Sequence, residues 1–459
     1  MSPVRITRIG ADGDGVAVDA DGWALYVPFT LPGESVRATV AGKRGEGFSA
    51  VAETILNPSA DRVQPPCPHF LHCGGCALQH WRDEPYIDWK SGLLLAALRR
   101  AGYADAAVAP AIRTLPGRRR RVDLALRRVQ GGVEVGLHQA RGAEIVDLTA
   151  CTVLDPAIAA LIAPLRALLT GLSALRREGS GVINLLNSGM DLLLRTDGAP
   201  SLSDRTKLTE FARVHDLPRI SWALNAGETE AICALRPAST LLSGVTLLPP
   251  PGAFLQAAAS AEAAIIAAVI AGLPVKRTKK SRIAELYAGC GTLTFALAPH
   301  MRVAAFDGDL HAFTALRQAA NQAGLAGRVE AARRDLARQP LSAKELSAFA
   351  AVVLDPPHNG ALEQIGQIAA SGIGRVIYVS CNPGALARDA ALLHGAGYRL
   401  LAATPIDQFL WSARLESVCV FPVSGADSFH QTWKLSPQPQ RPFSFGLVKV
   451  KPLVRFFCS

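Results

Sequence analysis

No uninterrupted apolar run in this 459-residue chain reaches the length needed to cross a bilayer. The longest candidate, residues 257–275, carries Glu262 and ends in Gly272 and Pro274, the pattern of an alanine-rich helix on a soluble domain. The N-terminus, with Arg5, Asp12 and Asp14 among glycines, lacks the apolar core of a signal peptide, so the cytoplasm is the expected location and no membrane partner is expected. Internal repeats are absent as well. Acidic residues are the minority, 38 against 48 basic, for a formal charge of +10. The excess gathers in residues 118–121, at Arg127 and Arg128, and in Lys276-Arg277-Thr278-Lys279-Lys280. Patches of this kind attract phosphate backbones, although a solvated face has the same composition. With 49% hydrophobic residues, a chain of this length is expected to form two or three cored domains.

Three apolar runs each end in a chemical group. Ile283-Ala284-Glu285-Leu286-Tyr287 leads into Ala288-Gly289-Cys290-Gly291-Thr292, residues 350–354 lead into Asp355-Pro356-Pro357, and residues 375–379 lead into Ser380-Cys381-Asn382-Pro383. In open parallel sheets the carboxyl ends of strands are where ligands bind. The set is a cofactor loop, an acidic turn and a candidate thiol nucleophile, which points to cysteine-dependent methyl transfer. Gly289 and Gly291 let the chain turn sharply at the start of a helix beginning near Thr292. The third glycine of the dinucleotide fingerprint is missing, which disfavours NAD. Asp307, after the next strand-like run, sits where such folds keep a carboxylate for ribose hydroxyls, and Asp335, after a third, could bond an adenine amino group.

Nine cysteines in a cytosolic chain argue for metal binding or catalysis rather than disulfides. Cys67-x5-Cys73-Gly74-Gly75-Cys76 puts three thiols within ten residues, and Cys151 is the best candidate for a fourth ligand. A [4Fe-4S] cluster is favoured over zinc, which uses the same ligands but more often shows two short knuckles. Cys233, Cys290, Cys419 and Cys458 have no such company and read as core or surface thiols.

The expected architecture is α/β in three parts. Residues 1–60 alternate short β-prone runs with glycine turns, as in a small OB-like barrel. Residues 61–250 mix helical and strand patterns around the cysteine loop, as a central α+β domain. Residues 251–423 alternate strands and helices, as a doubly wound, Rossmann-like domain. Residues 424–459, with Ser-Pro-Gln-Pro-Gln-Arg-Pro and no helical period, read as a poorly ordered appendage.

Taken together, residues 284–291, Asp355-Pro356-Pro357, Ser380-Cys381-Asn382-Pro383 and Asp407-Gln408-Phe409 with Glu416 resemble the bacterial RNA uracil-C5 methyltransferases, which form 5-methyluridine. The resemblance spans residues 1–423 and includes the order of the rRNA branch: TRAM barrel, cysteine loop, central RNA-binding domain and class I methyltransferase domain. It implies S-adenosylmethionine and a [4Fe-4S] cluster as cofactors, with 23S rRNA favoured over tRNA as substrate and a monomer as the working state. It assigns Cys381 as nucleophile, Glu416 as base and Asp355 to the active site. Gln256, Tyr287, Gly289, Gly291, Thr292, Asp307, Asp335 and Asp355 fall on cofactor or active-site positions. The chain departs from the family pattern at Arg414, where histidine is usual, at Trp411-Ser412 in place of His-Thr, and at His358 in place of arginine. Two rival readings are RNA cytosine-C5 methylation and a non-catalytic RNA-binding iron-sulfur protein.

Overall fold

The computed structural model describes residues 3–275, 278 and 280–423. The basic residues Lys276, Arg277 and Lys279 and the tail expected to be poorly ordered lie outside these. All of the described residues fall within one compact unit, built on three large sheets.

The N-terminal sheet has six strands, ordered Val4–Arg5, Ser35–Arg44, Gly47–Asn57, Ala24–Val27, Gly15–Val18, Arg8–Ile9. Its side chains follow the two-residue period of a strand: Val36 and Ala38 point inward to Ile6, Leu25, Val27 and Ala50, while Arg37 and Thr39 point out.

The central sheet has seven strands, ordered Ile145–Asp147, Gly132–His138, Arg121–Val129, Glu178–Leu186, Gly189–Thr196, Arg219–Leu224, Thr229–Ala234. The helices Pro156–Thr170 and Leu202–Val214 supply Ile158, Leu161, Leu165, Leu208 and Phe211 to its core. Both helices start on side-chain caps, Asp155 and Ser201, which satisfy free backbone amides of the first turn.

The third sheet carries the predicted strand ends. Its order is Val329–Arg333, Arg302–Asp307, Arg282–Leu286, Ala351–Leu354, Arg375–Ser380, Glu416–Pro422, Ala402–Asp407, Ile112–Arg113. The first five strands are parallel, and Glu416–Pro422 runs antiparallel to both of its neighbours. That reversal has a chemical consequence. Parallel strands deliver Tyr287, Asp307, Asp355 and Cys381 at or just past their carboxyl ends, and the antiparallel strand delivers Glu416 at its beginning, on the same edge. The pairing of Ser380 with Ser417 fixes Glu416 beside Cys381.

The domain boundary expected at residue 250 is corrected in one respect. Ile112–Arg113 joins the third sheet, pairing with Ile406 and Asp407, and the helix Asp83–Arg100 sends Leu94 and Leu98 into the same core as Leu386, Leu393 and Phe421. Residues 83–113 therefore serve the C-terminal sheet although they precede it by a whole sheet in sequence. Adjacency along the chain cannot reveal this. Among the described residues no helix is long and apolar enough to cross a membrane.

Candidate active site

The cofactor loop is shaped by backbone strain. Tyr287, Gly289 and Gly291 all have positive φ, of 63°, 54° and 99°, and a tyrosine there marks a strained turn of the kind found at ligand sites. A Cβ added at Gly291 would lie 2.7 Å from Phe295, so glycine is required for packing. At Gly289 a Cβ would meet nothing within 4 Å, which leaves open space above the loop. Asp307 accepts from the Gly289 amide at 2.8 Å and from Asp309 at 2.8 Å, holding the loop against the neighbouring strand. Asp335 lies next to it, since a Cβ on Gly308 would come 3.5 Å from the Asp335 Cα. Thr292 opens the helix Thr292–Leu297. Beneath the loop, fully buried Glu285 is pushed up to about 8, first by burial and also by Asp355 and Asp307. The side chain and amide of Thr294 reach this carboxyl and pull against that rise.

A chain of side-chain hydrogen bonds runs along the sheet edge. Gln256 Nε2 donates to Asp355 Oδ2 at 3.2 Å, Gln408 Nε2 donates to Gln256 Oε1 at 3.0 Å, and the same Gln408 nitrogen donates to Glu416 Oε2 at 2.6 Å. The remaining Gln408 oxygen accepts from the Ala257 amide at 3.2 Å. Glu416 is buried and its Oε1 has no partner. Burial, followed by the nearby Asp355 charge, holds Glu416 well above the usual carboxylate range, and burial raises Asp355 in the same direction. Such a pair resists carrying two charges at once.

Cys381 follows the strand Arg375–Ser380 and precedes the helix Pro383–Gly395, whose first amides are capped by Asn382 Oδ1 at 2.9 and 3.4 Å. Asn382 Nδ2 also donates to the His358 carbonyl at 2.9 Å, tying the Asp-Pro-Pro turn to the cysteine turn. The Cys381 thiol is partly exposed and is pushed up to about 11 by burial, Glu416 and Asp355, against which Arg414 pulls down. Arg414, one of the departures, thus places a positive charge within electrostatic reach of the nucleophile. Cys290 and Cys419, by contrast, are buried and held near 12, in keeping with core thiols.

In the cysteine loop, Gly74 donates to the His138 carbonyl at 2.9 Å, and a Cβ there would stand 2.8 Å from that oxygen, so only glycine allows the approach. Cys151 comes from beyond the central sheet's first three strands in sequence order. Cys76 is pushed up to about 12 by burial and by Cys151, Cys73 and Cys67; Cys73 is raised by burial, Cys151 and Cys67. Cys67, Cys73 and Cys151 thus all lie within electrostatic range of Cys76. Yet among the described residues no three His, Cys, Asp or Glu groups are spaced to hold a single metal ion.

The basic stretch expected to hold phosphates is largely committed elsewhere. Arg120 donates to the Gln256 carbonyl at 2.9 Å and pairs with Glu262 at 2.5 Å. Arg119 donates to the Arg121 carbonyl and lies within electrostatic range of Cys151 and Cys76. Arg128 donates to the carbonyls of Leu169, Thr170, Leu172 and Leu175, closing the end of the helix Pro156–Thr170. Only Arg118 of residues 118–121 is exposed, on a groove of about 530 Å³ that it shares with Asn187, Thr240 and Ser260.

Sequence reasoning gave no role to Gln408 or Lys90. Lys90 is fully buried and pairs with Asp407. Its signal was present: Tyr86, Lys90, Leu94 and Ala97 form one helical stripe, and a lysine within an apolar stripe is a buried lysine. Gln408 stood within the Asp407-Gln408-Phe409 motif, but nothing in the motif showed that its amide would join Gln256 to Glu416.

The fold is that of a Rossmann-like S-adenosylmethionine-dependent methyltransferase. The tRNA (uracil-54, C5)-methyltransferase of Pyrococcus abyssi, solved with S-adenosyl-L-homocysteine, superposes with a TM-score of 0.69, covering 91% of this chain and 100% of that one at 21% identity. An RNA methyltransferase of Brucella suis is 41% identical over 421 residues, 91% of this chain and 97% of that one. The 23S rRNA (uracil(1939)-C(5))-methyltransferase RlmD of Chromohalobacter salexigens is 35% identical over 436 residues, 90% and 88% of the two chains. No protein-family model matches. The chain belongs to the RNA uracil-C5 methyltransferase family.

Proposed function

We propose that the protein methylates C5 of a uridine in RNA, most simply in 23S rRNA, through covalent addition of Cys381. One observation carries this reading: the hydrogen-bonded chain of Asp355, Gln256, Gln408 and Glu416 shares one sheet edge with a partly exposed thiol. The choice of rRNA rests on the RlmD relatives, 35% and 31% identical over about nine tenths of this chain.

The cofactor site fits S-adenosylmethionine: open space over Gly289, flanked by Tyr287, Asp307 and Asp335, suits a nucleoside whose polar edges need carboxylate acceptors. We read Gln256, bonded to Asp355, and Thr292, the first residue of the helix after the loop, as further cofactor contacts. When bound there, S-adenosylmethionine supplies an electrophilic methyl group. The chain's residues do the rest. The Cys381 thiolate adds to C6 of uracil, which turns C5 into an enolate-like nucleophilic carbon. Asp355 holds the uracil edge, and the target nucleotide leaves its stack to reach the thiol. Once C5 bears both methyl and hydrogen, Glu416 takes the proton on its unpartnered Oε1, the C5–C6 double bond re-forms and the thiolate leaves. A carboxylate with a raised pKa is the stronger base for this step.

The residues also fit a [4Fe-4S] cluster on Cys67, Cys73, Cys76 and Cys151. Cys67, Cys73 and Cys151 lie within electrostatic range of Cys76, and four thiols match a cluster whose four irons would each take one thiolate. Held there, the cluster would fasten the cysteine loop to the central sheet. We read residues 1–60 as the TRAM-like barrel of this family, residues 61–250, less the segment given to the third sheet, as the RNA-binding part, and residues 251–423 as the catalytic part.

The test is Glu416→Gln. Incubated with S-adenosylmethionine and 23S rRNA fragments, it should add and methylate but stall before elimination, leaving a protein–RNA adduct on denaturing gels. No adduct, with normal product release, would remove Glu416 from the mechanism.

A further inference from the structure

We propose that Lys90 and Tyr86, on the helix Asp83–Arg100, far upstream of the parallel strands of the catalytic sheet, are positioning residues for proton removal by Glu416. The inference rests on the reading of Glu416 as base. Residues 407–416 form the connection that begins with Asp407 and Gln408 and ends with Glu416. Lys90 Nζ pairs with Asp407 and donates to the carbonyls of Phe409 at 3.1 Å and Arg414 at 2.7 Å. Its three protons thus reach the start, the near limb and the far limb of this one loop. Tyr86 Oη donates to the second Asp407 oxygen at 2.8 Å and accepts from the Trp411 amide at 2.8 Å, adding the tip. Lys90 has no hydrogen bond among those described that leads anywhere but into this loop.

A fully buried ion pair is a poor way to gain stability, because desolvating both charges offsets their attraction, and an apolar pair of similar size often does as well. What the ammonium provides here is geometry. By bridging the carbonyls of Phe409 and Arg414 it sets the width of the loop, and so the placement of Gln408, whose amide aims Glu416 Oε2. Trp411, a departure from the family pattern, is buried against Tyr86, Leu78 and Trp81 and belongs to the same clamp.

The experiment uses full-length enzyme and RNA bearing deuterium at C5 of uridine. Lys90→Met keeps the length of the stem and removes the charge. It should lower kcat about 10- to 100-fold with the KM values for RNA and S-adenosylmethionine within about twofold, accumulate the covalent adduct, and enlarge the deuterium effect on product release. Tyr86→Phe, which loses one hydroxyl, should act in the same direction by about 3- to 10-fold and guards against a Lys90→Met protein that fails to fold. Loss of rate with no adduct and no added isotope effect in Tyr86→Phe, or normal turnover in both variants, overturns the proposal. Glu416→Gln separates the two readings: if it traps no adduct the base is misassigned, and if it does while Tyr86→Phe and Lys90→Met behave as wild type, only the clamp is wrong.

Discussion

The catalytic edge and the cysteine loop both gather ionisable groups from distant parts of the chain, yet they treat them in opposite ways. At the edge, each carboxylate has an amide partner, Gln256 for Asp355 and Gln408 for Glu416, and one oxygen of Glu416 is left bare. In the cysteine loop the thiols have few donors, a Gly75 amide 3.4 Å from Cys73 and the Gln79 side chain at Cys76 among them, and their ionisation is disfavoured first by burial and then by one another. The first arrangement orients groups and leaves them a job to do. The second leaves buried thiols close to one another, with the Arg119 guanidinium in electrostatic range of Cys151 and Cys76.

The strongest way to break this comparison is to exchange the roles. Cys381→Ser should cut turnover by at least about 10³-fold while leaving iron content unchanged, because it removes a thiolate and little volume. Cys151→Ala should do the reverse, emptying the cluster as fully as Cys73→Ala, with the Cys381 thiol still open to alkylation. Anaerobically purified wild-type protein should contain about four iron and four sulfide per chain. One zinc and no sulfide would place the loop in a different class of metal site.

A pH series sharpens the contrast. With its pKa pushed up to about 11, Cys381 is mostly thiol at neutral pH, and its thiolate fraction grows as pH rises towards that value. Alkylation at Cys381, followed by peptide mapping in RNA-free enzyme, should therefore accelerate about tenfold per pH unit between pH 7 and 9. Arg414→Ala should slow it at each pH, since Arg414 favours the thiolate. A flat profile would mean that Cys381 is already ionised.

Smaller effects are expected at the basic stretch. Arg120→Ala should lower stability by roughly 1–3 kcal/mol through the loss of Glu262 and the Gln256 carbonyl, seen as a lower urea midpoint. Arg118→Ala should leave stability alone and flatten the salt dependence of RNA binding by about 0.7 to 0.9 of a slope unit, the signature of one phosphate contact. An unchanged slope would make Arg118 part of a solvated face.

Much of the site was legible beforehand because strand ends and turns are local. An apolar run closing on Asp-Pro-Pro or on Ser-Cys-Asn-Pro fixes where a side chain emerges whatever else the fold does, so Asp355, Cys381 and the Gly289–Gly291 turn fall at one edge. The arginines show the opposite case. Residues 118–121 have the composition of a phosphate patch, but Arg119 and Arg120 face inward to partners at residue 121 and at residues 256 and 262. Charge alone does not say which way a side chain turns.

By itself, then, the sequence determined the elements, which groups emerge at the strand ends, and the family, since each depends on residues close together in the chain. Tertiary structure alone decided that Ile112–Arg113 completes the catalytic sheet, that Gln408 joins Asp355 to Glu416 through Gln256, and that Lys90 grips the loop between Asp407 and Glu416. These contacts cross up to 324 positions, and their energy comes from burial that exists only once the sheets have packed together.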